Sequence, residues 1–491
     1  MNAEIRNPQS AIRNAKWLSF VSIALGTFMA YVDTNVVNIA LPVMARDFQV
    51  DLAVIKWVVT AYLLMVTSLV LIFGRIADLY GKKRLYLFGI ITFTLGSALS
   101  SVAPTVWLLT AFRCVTGIGG AALMANGSAI LTESFPAEER GKALGSHGSV
   151  IAIAALAGPL LGGFLSEKFG WRAIFYIGIP AGIAGSLLAV KALPAGKTER
   201  RREPFDFRGA VTLVAALACF LFLTNALTQK DREAPTIALL LVVTVTLAAV
   251  FLAIERRVEH PLLDLSLFRS RAFSAAVTSS FLSFWALSVL SFLLPFYLDR
   301  VRGFTPSKIG AIFAPVPLVL LVAAPLGGHL ADKFGARAVC TLGAAVNFVS
   351  LIGLSAMGTE TSAMGVILRL VPFGLGSGLF TPPNNSAIMC AVPRSRLGIA
   401  SGMISALKSL GSMSGVAVTS LIFSLVQVAA MERLISNGVA GAQAEQQSFA
   451  SAVSLLFLIS AALAAVVIVT SLVRGGKAVG EEEKAVAMAE A

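Results

Sequence analysis

Asp33 is the one carboxylate well inside a long apolar run of this chain, and Arg113, Arg369 and Lys408 are cations inside other such runs. An ionisable group in a membrane-length apolar segment costs at least about 2.5–3.5 kcal/mol on insertion scales, so such groups are read as functional by default. Burial favours the protonated form of a carboxylate, which suits Asp33 to take up and release a proton. The competing reading is a structural ion pair or a helix cap near the outer surface. Asp33 lies nine residues before Pro42, and Arg113 seven residues after Val106. At the rise of a helix both then sit about 10–14 Å below the same end of their spans, close enough in depth to pair. For Arg113 the alternative is snorkelling to the surface. Arg369 sits at a similar depth in a later span. Lys408 is about nine residues into its own, about 14 Å deep. Substrate contact and hydrogen bonding to helix ends stay open for both cations. The four groups carry a formal balance of +2, which disfavours dicationic substrates in a low-dielectric cavity.

The elements that must hold these groups are membrane spans. Of 491 residues, 57% are hydrophobic and only 13% charged. Soluble domains run near about 25% charged, so a water-soluble fold and a disordered chain are both excluded. A net charge of +13 here means basic cytoplasmic loops and not nucleic-acid binding. Cys114, Cys219, Cys340 and Cys390 are scattered and form no CxxC motif or disulfide framework. The first apolar run is too long for a cleavable signal and reads as a spanning helix.

Segments of about 20 apolar residues give fourteen expected spans: 17–41, 54–73, 85–103, 106–131, 143–166, 173–193, 207–227, 236–254, 273–298, 309–331, 338–357, 363–388, 399–428 and 449–472. With the N-terminus inside, 26 of the 39 Lys and Arg fall on cytoplasmic segments, ten on outer ones and three within spans. Lys56, at the head of the second span, is counted with the outer ten. This bias supports both termini inside and an even number of spans. The expected division is a six-helix bundle over 1–195, cytoplasmic linkers and two inserted helices over 196–272, a second six-helix bundle over 273–473, and a cytoplasmic tail over 474–491.

The two bundles look duplicated. Gly74-Arg-Ile-Ala-Asp78-Leu-Tyr-Gly81-Lys82-Lys83 and Gly328-His-Leu-Ala-Asp332-Lys-Phe-Gly335-Ala-Arg337 share the pattern G-x-x-x-D-x-x-G-x-[KR]. Arg113 and Arg369 recur at like positions. Repeats of this kind mark secondary transporters whose substrate site lies near the midplane.

At this point the chain resembles the major facilitator superfamily, and within it the fourteen-span drug:proton antiporters of the EmrB/QacA type. The resemblance covers essentially the whole chain. It is carried by Gly74–Lys83, with Leu79 where a basic residue is usual. It is carried also by Arg113-x-x-x-Gly117-x-Gly119-Gly120, with Thr116 where Gln is common, and by Gly145…Ala154…Gly158-Pro159-x-x-Gly162-Gly163, with Ala154 in place of a Gly. Asp33-Thr-Asn-Val-Val-Asn38-Ile-Ala-Leu-Pro42, Trp57…Tyr62 and Pro261–Arg269 complete it.

The resemblance implies an all-α polytopic membrane protein with the major facilitator fold. Asp33 and Arg113 would couple transport to protons. Asn38, Arg369, Lys408, Asn384 and Asn385 would line the substrate cavity. Gly74, Asp78, Gly81, Lys82, Lys83, Arg140 and Asp332 would form a conformational gate. Asp78 would act near Gly398–Gly402, with Glu138, Glu139 and Arg140 as further partners; topology alone is its bland role. Gly145, Gly158, Pro159, Gly162 and Gly163 would form the antiporter motif of span five, either as a rocking kink or as static close packing.

An enzyme is not expected. His147, His260 and His329 are scattered, and there is no HExxH, GxSxG or Walker A motif. No cofactor and no metal are expected, the drive being a proton gradient. The expected partners are protons, small amphipathic substrates and the lipid bilayer, with no nucleic acid and a monomeric state. The expected site of action is the inner membrane of a bacterium. Three readings compete with drug export: a lipid or amphiphile exporter or flippase, a proton-coupled uptake symporter, and a non-transporting sensor.

Overall fold

The computed structural model describes residues 8–136, 139–193, 206–228, 233–258, 261–392 and 397–473; the side chains of 8–15, 78 and 397–401 lie outside the description. Within it every regular element is helical. They are α1 (Pro8–Asp47), α2 (Leu52–Tyr80), α3 (Lys82–Ser101), α4 (Val106–Ser134), α5 (Arg140–Lys168), α6 (Ala173–Tyr176), α7 (Gly178–Ala192), α8 (Phe207–Ala226) and α9 (Ala234–Glu255), then α10 (Arg271–Arg300), α11 (Pro306–Phe313), α12 (Pro315–Phe334), α13 (Ala336–Ser355), α14 (Ala363–Cys390), α15 (Leu397–Ser436) and α16 (Gly441–Val473). In a bilayer core only helices or closed barrels satisfy the backbone.

Among the described residues thirteen helical segments are long and apolar enough to cross a membrane, with α6–α7 and α11–α12 each counting as one. The expected third span, α3, is a helix outside the thirteen. Lys82, Lys83 and Arg84 open it, and Thr92, Thr94, Ser97, Ser100 and Ser101 lower its hydropathy. It packs along α4 and against α7. The expected sixth and tenth spans are each broken, at Ile177 and at Ala314 before Pro315.

The described residues fall into two compact units, one within Met1–Leu262 plus Thr305–Gly310, the other within Leu263–Phe304 plus Ala311–Ala491. In the first, α4 packs on α2 and α3, α1 packs on α5 and α7, and α8 and α9 form a hairpin whose α8 leans on α2. Trp57 meets Phe222 at 5.4 Å between ring centroids. In the second, α14 packs on α12 and α13, and α10 packs on α15 and α16.

The repeat is visible in both units. Gly81 (φ 101°) ends α2 and starts α3; Gly335 (φ 83°) ends α12 and starts α13. Both conformations strain any residue with a Cβ. Each unit also has glycine-on-glycine crossings. A Cβ on Gly119 of α4 would lie 2.7 Å from the Gly89 carbonyl oxygen of α3, and one on Gly343 of α13 would lie 2.7 Å from that of Gly376 of α14. Small residues let the helix backbones meet where lipid offers no hydrophobic drive.

Gly119→Ala is therefore expected to destabilise the protein by about 1–3 kcal/mol, since the obstructing atoms are backbone. Gly145→Ala, whose Cβ would meet nothing within 4 Å, should be neutral or stabilise by up to about 1 kcal/mol. Apparent melting temperatures in one detergent check this; equal melting of the two variants would refute the crossing as a close-packed contact.

Candidate functional site

Arg113 is the largest fully buried side chain of the described residues, at 1% exposure. Its position on α4 follows from the glycines one and two turns later. Gly117 lets the Tyr62 carbonyl of α2 come within 2.7 Å of where a Cβ would be, and Gly120 does the same for the Tyr62 hydroxyl at 2.9 Å. With α2 drawn so close, Arg113 Nε donates to the Val58 carbonyl at 3.3 Å. Its guanidinium lies over the Tyr62 ring at 4.5 Å and near that of Phe175 at 5.9 Å. Nη1 donates to both carboxylate oxygens of Asp33 on α1, at 2.9 and 2.7 Å. The guanidinium is thus held in the bundle and does not snorkel.

Asp33 also lines a narrow, mostly apolar crevice with Phe28, Met29, Val32, Phe93, Ser97 and Phe175. A charge-assisted pair in such surroundings is strong but removable: whatever neutralises the carboxylate releases the guanidinium. The unit can therefore sit in two charge states at one point. Sequence reasoning matched Tyr62 to a motif without giving it this task, and it missed Phe175.

The other expected residues fall into different settings. Arg369 does not repeat the arrangement of Arg113. Its Nε donates to the Gly353 carbonyl and its Nη1 to that of Gly365, both at 2.8 Å, which ties α14 to the last turn of α13. Of the two readings left open for Arg369, this is the hydrogen bond to a helix end. Lys408 on α15 lies over the Phe284 ring at 5.2 Å. Asn384 Nδ2 donates to the Ala276 carbonyl at 3.1 Å and so bridges α14 to α10. The buried Oδ1 atoms of Asn38 and Asn385 meet no hydrogen-bond donor among the described residues. A second crevice, lined by Leu282, Ala286, Asn347, Leu351 and Phe373, uses α13 residues that stand 254 positions after Phe93 and Ser97.

The expected gate is only partly assembled. Lys82 pairs with Glu133. Lys83 Nζ donates to the Val190 and Leu193 carbonyls at 2.9 and 2.8 Å, which caps α7 with a cation as its dipole favours. Glu139 pairs with Lys16 at 2.5 Å, and Arg140 Nε donates to the Phe135 carbonyl at 3.2 Å, so both have partners other than Asp78. Gly74 faces open space, and Asp332 is exposed. The side chain of Asp78, residue Glu138 and the side chains of 398–401 lie outside the described residues.

In α5 the motif glycines pack closely. A Cβ on Gly158 would lie 2.5 Å from that of Asn35, and one on Gly162 would lie 3.0 Å from the Val36 backbone of α1. Gly163 faces the backbone of Pro306, and Glu167 Oε2 accepts from the Ser307 amide at 2.9 Å. Pro159 sits inside an unbroken helix, so close packing is the arrangement seen.

A model of the Major Facilitator Superfamily matches residues 23–416. The chain belongs to this superfamily. It is accordingly a multi-pass membrane protein of a transporter family that acts on small molecules, and not an enzyme. It is 34% identical over 444 residues to the riboflavin transporter RibZ of Clostridioides difficile, covering 90% of this chain and 96% of that one. It is 33% identical over 430 residues to the multidrug resistance protein Stp of Mycobacterium tuberculosis, covering 86% and 78%. Among solved structures it is similar to a bacterial homolog of the human lysosomal transporter Spinster, with a TM-score of 0.66, 16% identity, and coverage of 94% and 99%. That likeness supports the fold alone.

Lys56 went unnoticed in the sequence. It was counted with the outer loop, yet it stands one turn inside α2 and is 2% exposed. The signal was its position within the apolar run 54–73.

Proposed function

We propose that the protein is a proton-coupled exporter of amphipathic small molecules, working by alternating access in a bacterial cytoplasmic membrane. The reading rests on one observation above the rest: the buried Asp33–Arg113 pair beside a mostly apolar crevice. An antiporter needs a group that a proton and a substrate can occupy in turn, and an acid held by a releasable cation is such a group. The multidrug-resistance relative supports a drug-like cargo. In this reading α3 is the fourteenth span, both termini are cytoplasmic, and 1–195 and 273–473 are the moving bundles with 196–272 inserted between them. The protein works as a monomer without a cofactor, driven by the proton gradient.

A second reading has one specific observation in its favour. The relative named a riboflavin transporter is matched over nearly its whole length. A planar heteroaromatic cargo would fit the same fold, and fold alone does not fix substrate.

Inverted membrane vesicles separate these. With the interior acid, we expect a dye or biocide to accumulate inside and to leak out when a protonophore is added. A panel that also holds riboflavin and a fluorescent lipid decides the cargo. Accumulation that ignores the gradient would remove proton coupling, and uptake seen only in right-side-out vesicles would favour a symporter.

A further inference from the structure

Lys56 is a buried cation, 2% exposed, whose Nζ has no hydrogen-bond partner among the described residues. Asp51, the N-cap of α2, accepts from the Val54 amide at 2.9 Å, and its charge reaches Lys56 without a hydrogen bond. The helix dipole does not help either, because a cation one turn from a helix N-terminus lies at its unfavourable end. A buried ammonium that is left bare is strongly destabilising, and leucine or methionine at 56 would fill the same space without that cost.

The surroundings of Lys56 form a pattern along α2. Lys56, Thr60 and Thr67 are spaced i, i+4 and i+11, which puts them on one face over about 16 Å of helix. All three are buried. The Thr60 hydroxyl donates to the Lys56 carbonyl at 3.1 Å, which leaves its oxygen lone pairs free to accept, and the Thr67 hydroxyl has no partner among the described residues. Val58 and Tyr62, which hold Arg113, lie on another side of the same helix. The Asp33–Arg113 pair is neutral as a whole, and Arg369 is spent on carbonyls. The Lys56 ammonium therefore has no hydrogen-bonded or ion-paired counter-charge among the described side chains, the Asp51 charge acting on it only from longer range.

We propose that Lys56 is a substrate subsite for an anionic oxygen group, such as a carboxylate, sulfonate, phosphate or ionised phenol, with the Thr60 and Thr67 hydroxyls as separate polar points farther along the same helix face. It rests on the transport reading above, since the occupant must come and go. An ammonium is a compact point charge with three rotatable donors, suited to anions of varied shape. Thr67, farther along the face, has a hydroxyl that can donate or accept toward another part of the cargo, while Thr60, whose proton goes to the Lys56 carbonyl, can only accept. An amphiphile would place its anionic end at Lys56 and its apolar body along the leucines of the same helix. The subsite makes Lys56 a specificity residue and gives it no part in proton coupling.

Two xanthene dyes of like shape and opposite charge, fluorescein and rhodamine 6G, test this by fluorescence polarisation on the purified full-length protein. Lys56→Gln should weaken fluorescein binding by about tenfold to a hundredfold, the worth of one charge-assisted hydrogen bond. Rhodamine 6G should bind unchanged or more tightly, and Lys56→Arg should keep most of the fluorescein affinity. Gel filtration checks folding, and Lys56→Met replaces the Gln variant if that one aggregates. No fluorescein binding by the wild type, an equal loss for both dyes, or no loss at all would overturn the subsite. The transport reading fails separately: selective loss of fluorescein binding, without any proton-driven accumulation of either dye by the wild type, leaves the subsite standing and removes the exporter.

Discussion

Arg113→Ala is expected to cost the protein about 3–5 kcal/mol, because it strands the Asp33 carboxylate in apolar surroundings with no counter-charge. The same change also removes the bond to the Val58 carbonyl and the cation over the Tyr62 ring. Asp33→Asn should cost less. Asn keeps an acceptor for Nη1, and Arg113 keeps Val58 and Tyr62. The decisive variant is the double replacement Asp33→Leu with Arg113→Met. Two apolar residues of similar size remove both charges together, and such exchanges are often neutral or stabilising. Apparent melting temperatures in one detergent should therefore fall for Arg113→Ala and recover for the double variant. Strictly additive losses would show that the two groups do not act as a pair, whatever their separation of 2.7 Å.

The legibility of this site in the sequence had a physical basis. Helices crossing a slab in opposite senses bring residues to a common depth, so counting from Pro42 and from Val106 placed Asp33 and Arg113 side by side. The same counting placed Arg369 level with Arg113 but could not supply its partner. Yet the sequence holds the reason: α10 carries no acid between Arg271 and Asp299, so its arginine counterpart turns to the carbonyls of Gly353 and Gly365. The turn glycines Gly81 and Gly335 were readable because a positive φ leaves a compositional trace. The breaks at Ile177 and Ala314 were harder, since hydropathy runs smoothly across a helix interruption and only Pro315 and Pro317 hinted at the second. α3 shows the opposite limit. Its helix is where the sequence placed it, while its serines, threonines and three leading cations dilute the signal of a span. Burial of Lys56 was out of reach for a count of charges by segment, because a lysine near a span end reads as a loop residue until the packing of its helix is known.

Asp33→Asn is expected to abolish uphill transport while leaving downhill exchange in place. If one proton is exchanged for each substrate, a gradient of one pH unit supplies about 1.4 kcal/mol and supports a concentration ratio of about tenfold at most. Asn keeps the size and an acceptor of Asp but cannot ionise, so the proton has no carrier and the ratio should fall to one. In the proposed alternating-access cycle, substrate exchange down its own gradient does not use the proton and should persist. Charge movement gives an independent check. Exchange of one proton for a neutral molecule carries one charge, which a potential drives by about 2.3 kcal/mol per 100 mV. Wild-type accumulation of a neutral substrate should thus respond to potential as well as to pH, and the Asn variant should respond to neither. The comparison belongs in reconstituted vesicles at matched protein levels, with the melting temperature confirming that the variant is folded. Undiminished uphill transport by Asp33→Asn would move proton coupling to another group and leave the Asp33–Arg113 pair a structural one.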